Sequence, residues 1–204
     1  MDLLENYKKA WENQPKDTNK LSSAAIYKLA KSKSSSIVKW IFIIGILEFI
    51  ILNSAYFFVD MEAAYLEYQK LGLYNFVFYS QFFAYAIIIY FLFQFYNNYK
   101  KISVSDSTKV LMKKIIKTRR SVKNYVIFNL GYMALIMLIV IIAEINLKID
   151  DINLNQMLLV ILLSLVVCLL ALGCLLLFYQ LLYGFLLKKL KRNYKELAKL
   201  DDFN

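Results

Sequence analysis

Four long apolar runs constrain this chain more than any other feature of its sequence. They cover residues 37–59, 74–96, 125–145 and 157–187. Each run reaches or exceeds the roughly 20 residues that an α-helix needs to cross about 30 Å of hydrocarbon. With 60% hydrophobic residues, the 204-residue chain also has too little polar surface to cover a soluble globule. The sequence therefore predicts an all-α membrane protein built as a four-transmembrane-helix bundle.

The distribution of positive charge predicts how the bundle is oriented. Of the 25 Lys and Arg residues, all except Lys70 and Lys148 precede or open the first run, lie between the second and third runs, or follow the fourth. Positive charge that flanks a span is retained on the cytoplasmic side during insertion. We therefore expect an integral membrane protein in which both termini and the basic loop 97–124 are cytoplasmic.

The same charges indicate which partners to expect. Lysines beside a span attract anionic lipid headgroups by roughly 1 kcal/mol each. Specific nucleic-acid binding requires a recognisable reading element as well as positive charge, and the sequence offers none. Membrane lipids with anionic headgroups are therefore the expected partners, and specific nucleic-acid binding is not expected.

Three segments follow from the spans and the charges. Residues 1–36 form a cytoplasmic N-terminal amphipathic segment, 37–187 the transmembrane domain, and 188–204 a cytoplasmic C-terminal helix. A cleaved signal peptide is not expected, because the first 36 residues are mostly polar and the first apolar run is longer than a signal h-region.

Several cytoplasmic segments have apolar residues at helical spacing. Such stripes occur near residues 22–34, in a basic helix that Asp106 or Ser107 can cap, and after the fourth run. Their members are Ile26, Leu29 and Ala30; Val110, Leu111 and Ile115; and Leu190, Tyr194 and Leu197. The stripes could lie on lipid headgroups, or they could pack together and dock a partner. Headgroup contact is the favoured interpretation, because lysine-rich helices beside spans usually bind lipid.

The N-terminal stripe is the exception. Leu3, Leu4, Tyr7 and Trp11 recur at the spacing of a short amphipathic helix that Pro15 should end. A polar linker separates this stripe from the first span, and its charges are mixed. We therefore predict that these four residues bind a cytosolic protein rather than lipid.

Glu48 is the intramembrane residue that most needs explanation. It lies eleven residues into the first run, near the middle of the hydrocarbon, where an acid costs roughly 2.5 to 3.5 kcal/mol. We predict that Glu48 faces the bundle interior and bonds to Tyr85, which lies at a matching depth in the second span. Further candidate partners are Asn53, Gln81 and Asn129. A role in holding helices together is favoured over a role as a proton or cation carrier.

Composition argues against catalysis. The chain has no histidine, which removes the commonest general base and the commonest transition-metal ligand. Cys168 and Cys174 lie six positions apart on one predicted helix, on faces too distant for a disulfide. No catalytic, cofactor-binding or metal-binding residues are assigned, and a membrane enzyme is the third choice.

Two short stretches carry a family resemblance, residues 11–14 (WENQ) and 32–40 (SKSSSIVKW). They resemble the N-terminal part of small uncharacterised bacterial four-span membrane proteins. Some of those proteins are labelled carotenoid monooxygenases, and some are encoded beside alternative sigma factors. The monooxygenase label does not suit this chain, because that chemistry holds iron with four histidines. The bacterial source of these proteins implies the bacterial inner membrane as the location, and the neighbouring sigma-factor genes imply a sigma factor as the class of partner.

These observations favour a non-enzymatic inner-membrane regulator or scaffold. It would tether a cytosolic partner, such as a sigma factor, through the N-terminal segment and the basic cytoplasmic helices. The alternative is a small transport or channel component, working as a homo-oligomer, that uses the carboxyl group of Glu48.

Overall fold

The computed structural model describes residues 22–105, 107–148 and 153–201, and all regular structure in these ranges is helical. The helices are α1 (Ser23–Ser54), α2 (Met61–Lys70), α3 (Tyr74–Ser103), α4 (Thr108–Lys148), α5 (Leu154–Tyr179) and α6 (Phe185–Asp201). A 3₁₀ turn, Ala55–Phe57, follows α1, and a π-helical segment, Gln180–Gly184, joins α5 to α6. The predicted partner-binding residues Leu3, Leu4, Tyr7 and Trp11 lie outside the described residues.

Four of the helical segments are long and apolar enough to cross a membrane. They are α1, α3, α4 and the continuous helix formed by α5, the π-helical segment and α6. Many large apolar side chains on these helices face outward, among them Leu169 and Leu181, which are 69% and 80% exposed. Contiguous exposed apolar surface of this extent suits contact with lipid.

The helices continue beyond the apolar runs on the side that carries most of the positive charge. α1 begins fourteen residues before residue 37, α4 begins well before residue 125, and α6 ends after residue 187. Ser107 receives a side-chain hydrogen bond of 3.4 Å from the backbone N–H of Val110 at the start of α4. We call this side of the bundle the basic end and the opposite side the far end.

The far end contains a short helix between the first two apolar runs. α1 ends at Ser54, five residues before the predicted span 37–59 ends, and α2 follows. The Asp60 side chain caps α2 by accepting a hydrogen bond of 3.1 Å from the backbone N–H of Ala63. Gly72, with φ of 69°, then makes the turn into α3, a conformation that favours glycine.

Packing differs along the length of the bundle. α1 packs against α3, α3 against α4, and α6 against both α1 and α4, which closes a ring of four helices at the basic end. Toward the far end, the principal neighbour of α5 is α4. The fourth helical segment is therefore enclosed on two sides at the basic end and mainly on one side at the far end.

The closed ring at the basic end buries part of each amphipathic stripe, whereas Leu29 and Val110 stay 44% and 43% exposed. Leu111, Ile115, Leu190 and Leu197 have no exposed surface, and Ala30 is 2% exposed. These side chains belong to one continuous apolar core. The favoured prediction that these stripes lie on lipid headgroups is therefore wrong for these residues, because the stripes of three helices cover one another.

Hydrogen bonds between buried polar groups also join the helices at this end. Asn193 Nδ2 donates to Ser34 Oγ at 3.1 Å, which links α6 to α1. Asn98 Nδ2 donates to Ser121 Oγ at 3.2 Å, which links α3 to α4. Because these groups are buried, each pair satisfies a donor that would otherwise be costly to remove from water.

Candidate functional site

Glu48 lies at the centre of the bundle and is almost completely buried, with 3% of its surface exposed. It occupies the same face of α1 as Val38, Ile41 and Gly45, which are also buried. Gly45 allows α1 to approach α3 closely at this level: a Cβ atom there would lie 2.8 Å from Leu92 Cδ2. The carboxyl group is thus carried on the inward face of α1 at a point of tight helix packing.

Two tyrosine hydroxyls hold the carboxyl group of Glu48. Tyr179 donates to Oε1 and Tyr183 donates to Oε2, each at 2.7 Å. Both tyrosines are buried, with 3% and 1% of their surfaces exposed. Each carboxyl oxygen therefore receives one hydrogen bond, which offsets part of the cost of burying this group in an apolar surrounding.

The π-helical segment lies directly at these two tyrosines. Tyr179 is the last residue of α5 and Tyr183 lies within the segment Gln180–Gly184. Their rings stack with centroids 6.2 Å apart and an interplanar angle of 23°. Single π-helical turns inside α-helices occur frequently at functional sites. The irregular turn here presents both hydroxyls to one carboxyl group.

Tyr125 of α4 completes the group, which we call the Glu48 cluster: Glu48, Tyr125, Tyr179 and Tyr183. The Tyr125 ring packs edge-on against Tyr179 and Tyr183, with centroids 6.2 and 6.0 Å away. It also packs against Phe95 of α3 at 5.5 Å. The cluster therefore joins three of the long helical segments, and its contact with Phe95 extends it to α3 at the same level of the bundle.

The structure places the predicted partner of Glu48 elsewhere. Tyr85 donates to Asn53 Oδ1 at 2.7 Å and accepts from Gln81 Nε2 at 3.1 Å. Gln81 Nε2 also donates to the hydroxyl of Tyr56. The predicted bond between Glu48 and Tyr85 is therefore wrong. Three of the predicted polar residues, Asn53, Gln81 and Tyr85, instead form a second cluster closer to the far end.

Asn129 lies between the two clusters. Its Nδ2 donates to the backbone carbonyl of Tyr125 at 2.9 Å, so it bonds within its own helix. It also lines a cavity of about 120 Å³ together with Asn53, Tyr85 and Tyr125. A cavity of this size with several polar groups has room for water. Polar groups therefore follow one another from Tyr56 near the far end to the Glu48 cluster.

Tyr179 and Tyr183 were not among the predicted partners of Glu48. Glu48 lies eleven residues from the basic end of its run, and Tyr85 lies eleven residues from the basic end of the run 74–96. Tyr179 and Tyr183 lie eight and four residues from the basic end of the run 157–187, so their depths match that of Glu48 less closely. Depth therefore favoured Tyr85, whereas the partners that the structure shows depend on which helix faces Glu48.

The described residues contain no group of three or more His, Cys, Asp or Glu side chains placed to hold a metal ion. Cys168 is buried, Cys174 is exposed, and both are free thiols. What the Glu48 cluster offers chemically is one carboxyl group with three phenols around it. This arrangement can hold helices together or hold a proton.

Comparison with known proteins places the bundle in a family. A family model described as a domain of unknown function, DUF8845, matches residues 24–202. The chain belongs to this family. The DUF8845 match spans every long helix and includes the Glu48 cluster, and it begins after the predicted partner-binding residues. No curated protein and no solved structure matches the chain.

Proposed function

We propose that the protein is a non-enzymatic regulator or scaffold of the bacterial inner membrane that tethers a cytosolic partner. In this proposal both termini and the basic end lie at the cytoplasmic face. The observation that carries it is the closed helix ring at the basic end. Leu111, Ile115, Leu190 and Leu197 are fully buried there, although they lie outside the apolar runs.

A packed core outside the apolar runs favours a platform over a simple membrane anchor. Apolar side chains gain by burial only where they would otherwise meet water, so this core has the character of a soluble helical bundle. It fixes the direction in which α1 begins at Ser23. Residues 1–21 would then be presented from a rigid base, with Leu3, Leu4, Tyr7 and Trp11 as the contacts.

Tethering supplies a mechanism without chemistry. A partner held at the membrane is removed from its site of action, and its release requires only a few kcal/mol of difference between two states of the bundle. A sigma factor is the class of partner that the resemblance of residues 11–14 and 32–40 implies. The proposal requires that the N-terminal stripe binds this partner directly.

The decisive experiment replaces the four contact residues together. In the variant Leu3→Ala, Leu4→Ala, Tyr7→Ala and Trp11→Ala, a photo-crosslinker at residue 10 should no longer capture the cytosolic partner that the unmodified chain captures. The matched control is Lys8→Ala with Lys9→Ala, which changes the same segment outside the apolar stripe and should retain capture. Both variants should insert into the membrane. Equal capture by the four-residue variant would contradict the proposal.

The orientation is tested separately. Alkaline phosphatase fused after residue 204 should be inactive, and the same enzyme inserted after Gly72 should be active, because it folds to its active form outside the cytoplasm. The opposite pattern would contradict the proposed orientation and the tethering of a cytosolic partner with it.

One observation supports a second candidate function, namely the cavity beside the Glu48 cluster. Asn53, Tyr56, Tyr85, Tyr125 and Asn129 line this cavity, and a pathway for protons or cations would lead from it to Glu48. A homo-oligomeric transport or channel component would use Glu48 as the carrier. In proteoliposomes, Glu48→Gln should then abolish ion flux, and Tyr79→Phe, on an exposed face, should leave it intact.

We favour the regulator because both oxygens of Glu48 already bond to tyrosines of the fourth helical segment. No second carboxyl group lies at its level among the described residues. If Glu48→Gln leaves flux at the level of empty vesicles and changes only stability, the transport alternative fails.

A further inference from the structure

A groove of about 460 Å³ lies between α1 and α3 at the basic end. Lys28, Lys31 and Lys39 of α1 line it, together with serine hydroxyls that include those of Ser32 and Ser35. Tyr99 lines it from α3. The α1 positions recur at intervals of three and four residues, so they form one polar stripe along a single face of the helix.

No acidic side chain among the described residues forms an ion pair with the lysines of this groove. Among the described residues, the ion pairs join Lys70 to Glu67 and Arg192 to Glu196. Lys28, Lys31 and Lys39 make none of these. The carboxyl group of Glu48 is also on α1, but it is buried and bonded to tyrosines. The groove therefore offers three cationic donors and several hydroxyl donors to an external anion.

The groove extends to the boundary of the apolar surface. Lys28 and Lys39 are eleven residues apart, which corresponds to about 16 Å along the helix. Lys39 lies at the start of the run 37–59, next to Trp40, which is 53% exposed. Exposed tryptophan beside lysine is typical of the level of lipid headgroups in a membrane. One end of the groove is therefore placed where headgroups lie.

We propose that this groove binds the phosphate headgroup of an anionic phospholipid. Ammonium groups supply the charge attraction, and hydroxyls donate hydrogen bonds to phosphate oxygens. The lipid source is favoured over free phosphate, because the groove opens onto apolar surface that can hold acyl chains. This proposal is independent of the tethering function, since it needs only insertion of the four helices.

Trp40 provides a local probe. The full chain carrying Trp11→Phe has Trp40 as its single tryptophan. It is reconstituted into phosphatidylcholine vesicles that contain brominated phosphatidylglycerol or, in parallel, brominated phosphatidylcholine. Bromine quenches tryptophan fluorescence on contact, so the ratio of the two quenching curves measures preference for the anionic lipid at this groove. We expect a clear preference for phosphatidylglycerol.

The test compares two variants that lose the same charge. Lys28→Gln, Lys31→Gln and Lys39→Gln should lower the preference by about tenfold or more, since each lysine near a membrane surface contributes to anionic lipid attraction. The control is Lys113→Gln, Lys117→Gln and Lys123→Gln, three exposed positions of α4 outside the groove. It should keep most of the preference. Equal losses in both variants would show diffuse surface attraction and overturn the proposal.

Added inorganic phosphate distinguishes the two sources of the anion. At millimolar concentration it should leave the quenching by brominated phosphatidylglycerol unchanged. Displacement of the lipid by inorganic phosphate at that concentration would assign the groove to a free anion and overturn the lipid proposal. Ser32→Ala with Ser35→Ala should reduce the preference by a smaller factor, because it removes hydroxyl donors and no charge.

Discussion

The two halves of the bundle are held together in different ways. Between the basic end and the Glu48 cluster, all four long helical segments pack around fully buried side chains, and polar bonds such as Asn193–Ser34 cross between helices. Beyond the cluster, the described parts of α3, α4 and α5 bury only Ala84 and Cys168. The difference indicates that a bundle of four long apolar helices can be held together mainly at one end while its apolar faces at the other end stay exposed.

The largest expected effect comes from matched leucine substitutions in the two halves. Leu111→Ala opens a cavity in the closed ring and should lower the free energy of unfolding by about 2–5 kcal/mol. Leu169→Ala, at a residue that is 69% exposed, should change it by less than about 0.5 kcal/mol. Thermal unfolding of the detergent-solubilised protein, followed by circular dichroism, measures both. Similar losses at both positions would contradict the division into two halves.

The Glu48 cluster lies at the border between the halves, and its hydrogen bonds should contribute next most. Tyr179→Phe leaves Oε1 of a buried carboxyl group without a donor and should cost about 1–3 kcal/mol. Tyr85→Phe, at a half-buried residue nearer the far end, should cost about 0.5–1.5 kcal/mol. Tyr79→Phe, at a residue that is 69% exposed, is the control and should cost nothing measurable.

A double-mutant cycle sharpens this prediction. Glu48→Gln and Tyr179→Phe remove two sides of one bond, so their combined cost should differ from the sum by about 0.5–3 kcal/mol. Glu48→Gln with Tyr85→Phe should be additive, because these residues do not share a hydrogen bond. Coupling of Glu48 to Tyr85 and not to Tyr179 would show that the helices pack in the arrangement that the sequence first suggested.

The contrast between the halves also explains what could be predicted from the sequence. The four long helices follow from the number and lengths of the apolar runs, since about 20 apolar residues are what a helix needs to cross the hydrocarbon. The short helix α2 does not follow from them. The sequence does not fix how each long helix is rotated about its own axis. The apolar runs are hydrophobic nearly all round, so no polar face shows which side points outward. The assignment of Glu48 to Tyr85 instead of Tyr179 is a consequence of this missing information.

At the basic end, the sequence indicates which helix faces are apolar but not what covers them. The stripes containing Leu111 and Leu190 were recognised from spacing, but spacing cannot tell whether an apolar face meets lipid or another helix. The extended helices bring these faces together, and burial follows. The π-helical segment had no recognised signal either, since residues 180–184 contain neither proline nor paired small residues.

The smallest expected effect is a comparison of two glycines, one in each half. At Gly131, a Cβ atom would meet open space, so Gly131→Ala should raise the free energy of unfolding by about 0.5–1 kcal/mol through helix propensity alone. At Gly45, a Cβ atom would lie 2.8 Å from Leu92 Cδ2 and 3.5 Å from the Phe95 ring. Leu92 Cδ2 is the end of a flexible side chain that can shift, and 3.5 Å is an ordinary van der Waals distance. The contact should therefore offset part of the gain in propensity, so Gly45→Ala should stabilise the protein by less than Gly131→Ala does.

A second substitution tests the cause of the smaller gain at Gly45. Leu92→Ala removes the methyl group that is in close contact, so Gly45→Ala should stabilise the protein more in that background than in the unmodified chain. If Gly45→Ala has the same effect in both backgrounds, the close approach of α1 and α3 is not what limits the gain. If Gly45→Ala stabilises the unmodified chain as much as Gly131→Ala does, the packing beside Glu48 is as loose as in the far half. The tight border between the two halves would then have to lie closer to the basic end.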